Sequence, residues 1–172
     1  LLDAWRDEYQ FGKHIVTCGH VATRSGDALA RFVGDTLAAE GLDHAATGLA
    51  AAWHLTHFAA FRIATFFLAD EPSAPLLEKL GFREDARGAN LWLVVPNDAG
   101  VFHGAEDRDR LRCVQPVQAY IDMKGHPQRA NEAAAQEISE KDAPVDLTGK
   151  SVVLLEEDET PVRIFAARAL GN

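Results

Sequence analysis

The run RIATFFL, residues 62–68, is apolar at nearly every position and no longer than a strand, and it sets the plan for what surrounds it. Strand-like and helix-like stretches alternate on both sides of it. Residues 14–21 read as a strand ended by the polar run Thr23-Arg24-Ser25-Gly26. Ser25 is placed to cap the helix that follows, and Asp27 sits where a helix dipole favours an anion. Leu29, Phe32, Val33 and Leu37 make one apolar stripe, and Gly41 is the expected stop. After a short LDHAA segment, TGLAAAWHL predicts a helix from about Thr47. APLLEKLG is a short helix closed by Gly81, and residues 82–96 read as two strands with Gly88 at the turn and Pro96 at the end. The implied fold is α/β, a mixed sheet with helices on its faces.

The C-terminal third begins with the most patterned stretch, RCVQPVQAYIDMKGHPQRANEAAAQE. Pro116 suits the first turn of a helix, with Gln115 as a mediocre cap. Val117, Tyr120, Ile121 and Lys124 share a packing face, and Asp122 lies just off it, placed to bond a neighbouring helix or a partner. Gly125 and Pro127 stop the helix. A second helix follows with Ala130, Ala133, Ala134 and Ile138 on a small-residue face. Residues 142–150 read as a linker, and residues 151–172 as a strand, an acidic turn and a helix.

Composition narrows the function classes. With 17 basic against 26 acidic residues, the net charge of −9 argues against a face that holds nucleic-acid phosphates. No apolar run approaches the roughly 18 residues of a membrane span, so no membrane association is expected. Cys18 and Cys113 belong to no CxxC or Cys/His cluster and read as two reduced, buried thiols of a cytoplasmic protein. The chain begins Leu1-Leu2-Asp3-Ala4-Trp5 without Met and already in helical rhythm, as a piece of a longer polypeptide would.

Candidate chemistry is thin. His54 and His57 stand three residues apart on the predicted helix, a spacing that suits a metal, but no third ligand accompanies them. Their plainer reading is a pair at a helix end. Asp98, Asp107 and Asp109 fall in a polar loop that reads as solvated. No GxSxG, Walker A or GxGxxG pattern occurs, and no cofactor is implied.

Four resemblances follow from these segments. PLLEKLGFRE, residues 75–84, resembles a stretch near the end of GNAT-type acetyltransferases, whose cofactor loop is missing here. The order of strand, Thr-Gly turn, Ala-rich helix, Arg and strand in AATGLAAAWHL and RIATFFLAD resembles the core of minimal nucleotidyltransferases. Those enzymes carry a D-x-D pair that holds metal ions on the strand where this chain has Phe66 and Leu68. The core would then be degenerate.

Residues 1–140 resemble the C-terminal domain of AbiEi-type antitoxins, the transcriptional regulators of type IV toxin–antitoxin systems, and the expected domain runs over 1–141. LLDAWRDEY, DHAATGLAAAW, GANLWLVVP, GVFHG and RCVQPVQAYIDMKGHPQRANEAA carry the resemblance in the family's order. Its signature falls on Thr47, Gly48, Pro116, Gln118, Tyr120 and Asp122. The resemblance implies a non-enzymatic domain with a cognate nucleotidyltransferase-like toxin as partner, and its expected work is protein contact, either homodimer formation or an interaction that affects that toxin. Operator DNA would be read only through a winged helix-turn-helix upstream of this segment. The rival expectation is a nucleotidyltransferase-like or acetyltransferase-like enzyme domain with a weak or lost catalytic site. Residues 147–172 resemble the first strand and helix of a response-regulator receiver, with Glu157 and Asp158 matching its acidic pair.

Overall fold

A computed structural model describes residues 13–56, 60–85 and 87–125. The predicted opening helix, the helix after Gly125, the linker and the receiver-like tail lie outside them, as does His57.

The elements run β1 (Ile15–His20), α1 (Gly26–Ala39), β2 (His44–Thr47), α2 (Gly48–Thr56), β3 (Ala64–Leu68), α3 (Ala74–Lys79), β4 (Arg83–Glu84) and β5 (Leu91–Val95). A 3-10 turn at Ala99–Phe102 leads to β6 (Glu106–Arg108), β7 (Leu111–Cys113) and α4 (Pro116–Gly125). The strands form one seven-stranded mixed sheet in the order β4-β1-β5-β3-β2-β7-β6. β3 pairs parallel to β5, and β2 parallel to β7; the other pairings are antiparallel. The expectation of an α/β fold with a mixed sheet is met.

The strongly apolar runs occupy the middle of this sheet. Every residue of β2 and β3 is buried, as are the first four of β5. A strand covered on both faces has no solvent side to make polar, which is why RIATFFL shows no alternation. Successive residues still point to opposite faces. Phe66 lies below Gly34 of α1, whereas Phe67 meets the edges of His14 and Phe102 at ring-centroid distances of 5.6 and 6.4 Å.

The helix ends follow the local chemistry. The Ser25 hydroxyl accepts from the Ala28 N–H at 3.1 Å, as its capping position predicts. At the other end of α1, Gly41 N–H bonds to the Ala38 carbonyl and Leu42 N–H to that of Leu37, the paired bonds of a Schellman motif. The same pair recurs after α3, through Gly81 to Glu78 and Phe82 to Leu77.

Three expectations are corrected. Phe32 is 42% exposed, because α1 buries the arc of Gly26, Leu29, Ala30, Val33, Gly34 and Leu37, and Phe32 falls outside it. β4 and β5 are not neighbours: each pairs with a different edge of β1. The segment holding Asp107 and Asp109 is exposed, as expected, but it is a β-hairpin rather than a loop, with Asp109 and Arg110 at φ 48 and 66 in its turn. Two positive φ values match the twist that a two-residue hairpin requires.

Candidate functional site

Two polar clusters are built from residues far apart in the chain. The first begins where β2 becomes α2. Gly48 has φ +58, a left-handed conformation that lets the strand turn into a helix within one residue. Thr47, just before it, has no exposed surface. α4 packs on α2 and β2 and carries Asp122, 1% exposed, to this turn. The Thr47 hydroxyl donates to Asp122 Oδ2, and Gln118 Nε2, one helical turn earlier on α4, donates to Oδ1 at 2.9 Å.

Both carboxylate oxygens of Asp122 are therefore engaged by the protein itself. A carboxylate in that state holds elements together and has no open face toward a substrate. The signature residues thus divide by task. Thr47, Gln118 and Asp122 make the network and Gly48 permits its turn. Pro116 opens α4, and Tyr120 is buried in the core. Asp122, expected just off the packing face of its helix, is part of the interior and binds both its own helix and the β2–α2 turn.

The second cluster lies where α1, α2 and the β6–β7 hairpin meet. His54 on α2 has a fully buried side chain, with Nε2 3.4 Å from Asp27 Oδ1 and Nδ1 3.8 Å from Asp109 Oδ2. Arg31 joins the same two carboxylates. Its Nε donates to Asp27 Oδ1 and Oδ2 at 3.1 and 3.2 Å, one turn away on α1, a spacing that puts both side chains on one helix face. Its outer nitrogens donate to the Asp109 backbone carbonyl at 2.7 Å and to the Asp109 carboxylate. Hydrogen bonding to Asp109, opposed by slight burial and helped by Asp27, raises the Arg31 pKa above its ordinary value.

His54, in the last turn of α2, is thus an interior residue beside an Asp–Arg–Asp cluster, and the His57 half of the expected helix-end pair lies outside the described residues. Among the described residues, no three His, Cys, Asp or Glu side chains are grouped to hold a metal ion. Asp27, Arg31 and Asp109 were not expected as site residues. The Asp27–Arg31 pair carried a signal in its spacing of four, whereas the approach of Asp109 is a product of the tertiary fold.

Titration is perturbed elsewhere in the domain as well. Burial lowers the pKa of His14, opposed by a hydrogen bond to the Asn97 side chain. Its Nδ1 also accepts the Asn97 backbone N–H at 3.2 Å. The Cys113 thiol is pushed up to about 12, chiefly by burial. Cys18 is half-buried, so the expectation of two buried thiols holds for Cys113 alone.

Comparison with protein-family models, curated proteins and solved structures gave no match. The fold and the two clusters define an α/β domain in which the polar residues of the interior tie helices to the sheet. Among the described residues no helix is long and apolar enough to cross a membrane.

Proposed function

We propose that this chain is the non-enzymatic C-terminal part of an AbiEi-like transcriptional regulator of a type IV toxin–antitoxin system. In this reading the domain acts in the cytoplasm by protein contact, as a homodimer and against the effect of a nucleotidyltransferase-like toxin. Operator DNA is bound by a separate winged helix-turn-helix.

The observation that carries the reading is the meeting of Thr47 with Gln118 and Asp122 in one buried network. These residues come from the two signature segments DHAATGLAAAW and RCVQPVQAYIDMKG, so their contact gives the pattern a physical reason. A second point favours a regulator over an enzyme of nucleotidyltransferase type. Phe66 and Leu68 of β3 are both fully buried apolar side chains, where metal-dependent transfer would need carboxylates facing a substrate.

The test is co-expression of this chain with the nucleotidyltransferase-like toxin of a type IV system in bacteria, scored as colony recovery. Recovery of growth is expected. Lack of recovery, together with turnover of Mg²⁺-ATP, Mg²⁺-GTP or acetyl-CoA by the purified chain, would overturn the proposal in favour of an enzyme.

A further inference from the structure

We draw no further inference here: the strongest candidate, the cluster of Asp27, Arg31, His54 and Asp109 where α1, α2 and the β6–β7 hairpin meet, belongs to the site already described.

Discussion

Replacing Asp122 tests the buried network directly, because Thr47 and Gln118 differ in how well they can do without it. Thr47 has no exposed surface, so Asp122→Ala strands its hydroxyl in the interior. An unmet buried donor costs about 1–3 kcal/mol. Gln118 is half-buried and can turn toward water, which limits its loss to about 0.5–1 kcal/mol. Removing the carboxylate also removes its desolvation cost, which offsets part of the sum. We expect a net loss of about 2–3 kcal/mol, which at a urea slope of about 2 kcal/mol/M moves the unfolding midpoint down by about 1–1.5 M.

Asp122→Asn should be much milder. An amide can accept from Gln118 and donate to the Thr47 oxygen, since a hydroxyl serves in either role. What is lost is the extra strength of a charge-assisted bond, about 1 kcal/mol. Thr47→Val removes the buried donor from the other side and should cost about 2 kcal/mol. The double variant Thr47→Val/Asp122→Ala should then cost less than the sum of its parts, by about 1–2 kcal/mol. Urea unfolding followed by circular dichroism measures all four proteins. A loss below about 0.5 kcal/mol for Asp122→Ala, or a strictly additive cycle, would refute the claim that this network holds α4 to the β2–α2 turn.

Gly48→Ala isolates backbone strain at the same turn, because a Cβ there would meet nothing within 4 Å while φ stays at +58. It should cost about 1–2 kcal/mol in the same unfolding assay, with Gly48→Asn milder because Asn tolerates this region better. His14 makes stability depend on pH. Its folded pKa lies below the unfolded value of 6.5, so its contribution is complete above that value and is lost as pH falls through 6.5 toward the folded pKa. Urea midpoints taken between neutral and mildly acidic pH should therefore drop less steeply for His14→Gln than for the parent protein; equal slopes would contradict this. With its thiol held near 12, Cys113 should resist maleimide in the native protein and react on unfolding, while half-buried Cys18 reacts first. Mass spectrometry of the labelled peptides reads the order.

The elements that the sequence announced are those whose local chemistry acts alone. Ser25, Gly41 and Gly81 mark helix ends through bonds to residues within one turn. The apolar runs of β3 and β5 announce strands, and their burial on both faces explains why those runs lack polar alternation. The β6–β7 hairpin was illegible for the opposite reason. Its strands are three residues long, β6 is Glu-Asp-Arg with all three side chains exposed, and its Asp109-Arg110 turn lacks the glycine that usually signals one. Strand order was hidden as well, since placing β1 between β4 and β5 depends on tertiary contacts and not on the letters of either strand.

The same division runs through the candidate site. Thr47, Gln118 and Asp122 are singled out together only through a resemblance, and their meeting spans 75 residues of chain between Thr47 and Asp122 and leaves no periodic trace. Phe32 shows the reverse error, a residue at acceptable helical spacing that the true buried arc excludes.

Growth rescue by Asp122→Asn tests the central claim most directly, because that substitution abolishes the carboxylate while keeping its shape and both hydrogen bonds. If the domain works by contact and Asp122 is an internal tie, the variant should rescue toxin-expressing cells nearly as well as the parent chain. Any deficit should stay within the few-fold that a loss of about 1 kcal/mol causes through protein abundance. A folded Asp122→Asn protein, at parental abundance, that fails to rescue would show that the carboxylate itself does the work, and would contradict this account.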